Sequence, residues 1–130
     1  MSHPRRSAVL AWGATSTGTA TLLARLNPPG FAGAALEIAL GQPAPCTGSL
    51  RHLRVHALTG PVSGSQDFRI YRNGIATDVV AQLGAGETDA SDVTHTADVN
   101  AGDIIEARAE TSGAVTGALY VSATCLLLGP

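Results

Sequence analysis

The chain has 130 residues, of which 45% are hydrophobic and 14% charged, with a formal net charge of -2. A chain of that length buries roughly two-thirds of its unfolded surface, enough for one core and too little for two. Near-average apolar content with sparse charge excludes a disordered chain or a coiled coil, and no basic stripe marks a general nucleic-acid binder.

All eight basic residues are Arg, and there is no Lys. Together with the heavy use of Ala and Gly this reads as coding bias, although Arg also suits paired and buried interfaces. Arg5 and Arg6 precede Ala8-Val9-Leu10-Ala11-Trp12. That apolar run is shorter than the roughly 7–15 residues of an export-signal core, so the start reads as a basic arm followed by a strand. No run approaches the roughly 18 apolar residues that cross a membrane as a helix, and no membrane partner is expected. The expected organisation is an arm and first strand over 1–14, then a single β-sandwich over 15–130.

The rest of the chain reads as β. Gly and Pro interrupt it often, and the runs between them alternate with period two. Ser7 to Trp12 is the first expected strand. Thr15 to Leu23 is the second, with Thr15, Thr17, Thr19 and Thr21 on one face. Asn27-Pro28-Pro29-Gly30 breaks the chain, and Ala34 to Leu40 is read as a short strand. Ser49 to Leu58 sets Leu53, Val55 and Ala57 against His52, Arg54 and His56. Gln66 to Arg72 sets Phe68 and Ile70 against Asp67, Arg69 and Tyr71. Asn73-Gly74 then supplies a two-residue type I′ turn, and Ile75 to Leu83 is the return strand, with Ile75, Val79 and Leu83 on one face. Gly84 to Asp92 is read as a solvated acidic loop. Val93 to Val99 alternates again, with His95 on the apolar face as a hydrogen-bonded core residue. Ile104 to Glu110 points Ile105, Ala107 and Ala109 inward and Glu106, Arg108 and Glu110 outward. Gly117 to Leu128 is the last strand, apolar on both faces near its end. Eight or nine strands in one chain imply a two-sheet antiparallel sandwich with Greek-key or jelly-roll connections.

Candidate chemistry is thin. His52 and His56 lie four apart on a strand, about 13 Å along one face, too far to share a metal ion. Glu87, Asp89 and Asp92 crowd one segment but lack the oxygen set and central Gly of a calcium loop. Gly60-Pro61-Val62-Ser63-Gly64 only faintly recapitulates a nucleophile elbow, and it sits between strands rather than before a helix. No cofactor, no metal and no catalytic residue is expected, and the chain is read as non-enzymatic.

Thr47-Gly48-Ser49-Leu50-Arg51-His52-Leu53-Arg54-Val55, then Phe68 to Gly74 with Thr77, then Ser91 to Asp103 resemble, in that order, the small jelly-roll modules of tailed phages and prophages. Such modules occur in head decorations, head fibres and tail-fibre tips, and are similar in fold to tumour-necrosis-factor and complement C1q heads, which form trimers. The resemblance covers residues 47–128 and rests on turns and strands, so it carries over no catalytic residue. It implies a homotrimeric virion protein, made in the bacterial host cytoplasm, that binds the major capsid protein or other virion proteins without contacting nucleic acid directly. The alternative it implies is a receptor- or glycan-binding tip using the loops at 60–66, 84–92 and 111–117. On the first reading Arg5, Arg6 and Trp12 dock the partner. Tyr120, Leu126 and Leu128 on the apolar last strand form the oligomer interface. In a jelly roll of this type the last strand runs antiparallel beside the strand at 49–58, which brings Cys46 and Cys125 towards each other and makes a disulfide between them geometrically possible.

Overall fold

The computed structural model describes residues 7–16, 24–25, 41–111 and 119–129. Among these residues there are ten strands and no helix: β1 (Ser7–Ser16), β2 (Ala24–Arg25), β3 (Gln42–Pro43), β4 (Gly48–Thr59), β5 (Ser65–Arg72), β6 (Ile75–Gly84), β7 (Asp89–Asp92), β8 (Ala97–Val99), β9 (Ile104–Thr111) and β10 (Leu119–Leu128). Every pairing is antiparallel, and the pairings nest. β1 pairs β10, β2 and β3 pair β9, β4 pairs β7 and β8, and β5 pairs β6. Nesting of this kind is a long hairpin wrapped over itself, which is the jelly-roll sandwich. The first sheet runs β1-β10-β4, with β7 and β8 sharing the far edge of β4; the second runs β2-β9-β5-β6, with β3 also on β9.

Alternation places the core. Leu53, Val55 and Ala57 of β4 face Phe68 and Ile70 of β5, Val79, Ala81 and Leu83 of β6, Ile105, Ala107 and Ala109 of β9, and Val121, Ala123, Cys125 and Leu127 of β10 across one apolar interior. Leu50 and Leu53 are three apart yet both buried, which strict alternation forbids. The register between β4 and β10 shifts there, and His52 sits in the left-handed region at φ 55°, so a bulge turns the strand over. Asn73 (φ 50°) and Gly74 (φ 82°) have the two positive angles of the expected hairpin turn. Ile75 shares a face with Val79 and Leu83 but lies beyond the covered core, paired with Arg72 and exposed.

The two sheets are tied at their margins by side chains. The Gln42 amide donates to the Ala11 carbonyl of β1. At the opposite corner Asp92 accepts a hydrogen bond from the Val80 backbone N–H of edge strand β6. Gly48 lies so close to the end of β10 that a Cβ there would stand 2.3 Å from the Leu128 carbonyl oxygen. The atoms it would meet, on Leu128 and Gly129, are backbone, so Gly48→Ala is expected to destabilise the fold by about 2 kcal/mol. A urea midpoint unchanged from the parent would contradict this register.

Several expectations are corrected. The segment 84–92 is not one solvated loop: Asp89–Asp92 forms β7 on the edge of β4, and Asp92 is only 5% exposed. Of the expected strand 93–99 only Ala97–Val99 pairs, while Val93 and His95 are exposed. Glu106 and Arg108 do point outward from the second sheet as expected, but they are largely covered there, at 9% and 8% exposure. They form an ion pair at 3.3 Å, and the Arg108 guanidinium lies 4.1 Å from the centre of the Tyr71 ring. Strand β1 runs to Ser16 and is a full member of the first sheet, crossing the expected boundary at 14/15. The remainder of Thr15–Leu23, and Ala34–Leu40, lie outside the described residues.

Candidate functional site

The expected docking and interface residues separate into two groups. Trp12 is not a surface anchor: it faces the core at 2% exposure because inward and outward residues alternate along β1, so it is corrected to a core residue. Arg5 and Arg6 lie outside the described residues. Tyr120 is in β10, and its side chain is outside the described residues too. Leu126 and Leu128 are half-buried on the outer face of the first sheet. Leu126 is flanked across the strands by Val9, 66% exposed, and by Arg51, and Leu128 by Ser7 and Ser49. Val9, Leu126 and Leu128 therefore make a short apolar strip on an otherwise polar face.

The possible disulfide is not formed. Cys46 and Cys125 are both buried free thiols. β10 does run antiparallel beside β4, but the register sets Leu128 against Ser49 and Cys125 against the bulge at His52 and Leu53. Cys46 precedes the paired segment and lies off the far end of β10. The Cys125 thiol donates to the Arg51 carbonyl at 3.3 Å. Burial pushes that thiol up to about 12, with the nearby Asp92 charge adding to the shift, so it is not a nucleophile at neutral pH.

Next to the apolar strip, the same sheet face carries a polar depression of about 430 Å³ lined by Arg54, His56, Asp89, Ser91, Ser122 and Thr124, with Val55 and Ala90 at its floor. Two cross-strand rows build it. Ser122, His56 and Asp89 stand opposite one another on β10, β4 and β7, and Thr124, Arg54 and Ser91 form the neighbouring row. The rows are about 7 Å apart, two residues along each strand. His56 Nδ1 lies 2.8 Å from Asp89 Oδ1. That hydrogen bond holds the Asp89 carboxyl below its ordinary range. The order Ser–His–Asp resembles a nucleophilic triad, but His56 makes its hydrogen bond with Asp89 and none with Ser122, so nothing activates that hydroxyl. Arg54, Ser91, Ser122 and Thr124 have no hydrogen-bond or ionic partner among the described residues. The arrangement is suited to holding a polar group rather than to bond breaking.

A second cluster is structural. The Asp92 carboxylate accepts hydrogen bonds from the backbone N–H groups of Val80, Thr94 and His95, from the Thr94 hydroxyl, and pairs with His95 Nδ1 at 2.9 Å. Burial alone would raise its pKa, but these donors together hold it well below the usual carboxylate range. The alternation of 93–99 hid this cluster. Its signal was local: Asp followed two residues later by Thr favours a turn in which the carboxylate takes the backbone N–H groups ahead of it. Among the described residues no group of three or more His, Cys, Asp and Glu side chains is placed to hold a metal ion. No protein-family model matches the chain, and no curated protein matches it in sequence.

Proposed function

We propose that the chain is a non-enzymatic structural protein of a virion, a capsid decoration or minor head protein that binds the capsid as a homotrimer. The observation that carries this reading is the apolar strip of Val9, Leu126 and Leu128 on the outer face of the first sheet. Leu126 and Leu128 come from β10, an interior strand whose opposite face already fills the core. Outward leucines on an interior strand keep apolar surface that the fold of one chain covers only in part, and are stabilised when a second copy covers the rest. Closed cyclic symmetry buries such a strip on every copy and leaves none exposed. The nested jelly-roll pairing supports the likeness to trimeric virion modules. Function on this reading is contact area: each trimer spans neighbouring capsid subunits, with Arg5 and Arg6 as the charged groups that meet them.

The test is mass spectrometry of intact virus particles purified from a culture that makes this protein. Hundreds of copies per particle are the expected result. Absence from the particles would overturn the virion assignment, and a few copies per particle would overturn the decoration role in favour of a fibre or tail tip.

A further inference from the structure

The polar depression on the β10-β4-β7 face has a composition that assembly does not explain. Among the described residues its one cation without a partner is Arg54, and its one carboxylate, Asp89, is hydrogen-bonded by His56 and by the Thr88 hydroxyl. A ligand entering it therefore meets a guanidinium whose N–H donors have no acceptor among the described residues. A planar guanidinium matches a carboxylate through two parallel hydrogen bonds. Around Arg54 stand three unpartnered hydroxyls, those of Ser91, Ser122 and Thr124, each able to donate and to accept. Asp89 keeps acceptor capacity beyond its bond to His56, which suits it to receive a ligand hydroxyl. The same carboxylate repels a second negative charge, which disfavours phosphate dianions. At about 430 Å³ the depression falls in the size range of small-molecule sites. Among the described residues its lining is polar apart from Val55 and Ala90.

We propose that this depression binds the carboxylate-bearing sugar unit of an acidic glycan, with Arg54 on the carboxylate and with Ser91, Ser122, Thr124 and Asp89 on the ring hydroxyls. The site lies on the sheet face, and Asp89 and Ser91 of the segment 84–92 belong to it as members of β7. It adjoins the apolar strip without including Val9, Leu126 or Leu128, so it goes beyond the assembly role and does not depend on it.

The experiment is a titration of the full chain followed by amide chemical shifts, with glucuronate as the probe and glucose and acetate as controls. The expected result is saturable, millimolar-range glucuronate binding that shifts the resonances of Arg54, His56, Ser91 and Ser122, with glucose silent and acetate at least fivefold weaker. Arg54→Gln, at an exposed position, should retain the parent spectrum elsewhere and weaken glucuronate binding at least tenfold. Asp89→Asn should weaken it severalfold without weakening acetate binding. Acetate binding as tight as glucuronate, undiminished binding by Arg54→Gln, or shifts confined to other surfaces would each overturn the proposal.

Discussion

Replacing Asp92 by Ala is expected to lower the stability of the fold by about 3 kcal/mol, because it strands backbone donors that have no other partner in a water-poor corner. Val80, Thr94 and His95 each give Asp92 a backbone N–H, and the carboxylate is almost wholly buried. The Val80 N–H belongs to the free edge of β6 and the carboxylate to the end of β7, so the loss also parts the two sheets at that margin. Asp92→Asn retains an acceptor oxygen and should cost about half as much. Urea midpoints for the three proteins measure this, and an Ala variant within about 0.5 kcal/mol of the parent would contradict the assigned role. The pH dependence follows with a definite sign. The folded-state pKa of Asp92 is depressed, so the unfolded chain binds the extra proton. The stabilisation is complete above the unfolded value of about 3.9 and is lost as pH falls from there towards the folded pKa. Asp103 is depressed in the same direction by the Asn100 backbone N–H and the Asn73 side chain. Stability should therefore fall as pH drops below about 4, and less steeply in Asp92→Asn than in the parent.

The second large effect is at Phe68, first by size among the wholly buried side chains of the described residues. Its cross-strand neighbours are Ala81 on β6 and Ala109 on β9. One large ring flanked by two methyl groups is how a core built mainly of Ala, Val and Leu fills the space between its sheets. The alanines cannot reach into the volume a deletion leaves, and the paired strands on either side limit collapse. Phe68→Ala should cost about 3–5 kcal/mol. Phe68→Leu, which keeps most of the volume, should cost less than half of that. Near-equal losses for the two would mean that the ring is not the element spanning the gap.

How much of this was legible in the sequence depended on whether the deciding contact was local. β4, β5 and β6 were readable because each alternates and because Asn73-Gly74 specifies its own turn. β7 was not, because Asp-Ala-Ser-Asp has no strand propensity of its own and is held extended by the edge of β4. The burial of Glu106 and Arg108 was equally invisible: alternation assigns a residue to a face and says nothing about whether that face meets water. Trp12 was assigned to docking on the virion reading that the resemblance implies, while its place on β1 points it inward. The two rows of the polar depression join β10, β4 and β7, strands far apart in the chain, so His56 and Asp89 could be named as residues but not as a pair. Leu126 and Leu128 were identified from an apolar run alone, and their outward placement is what gives the assembly proposal its content.

The most direct test of that proposal is sedimentation equilibrium of the full chain at micromolar concentration, beside Leu126→Asp. The account predicts that the parent sediments at three times its 13.1 kDa chain mass, and that a carboxylate at the centre of the apolar strip yields folded monomers. A parent that is monomeric throughout, or a Leu126→Asp variant that stays trimeric, would contradict assembly through this face.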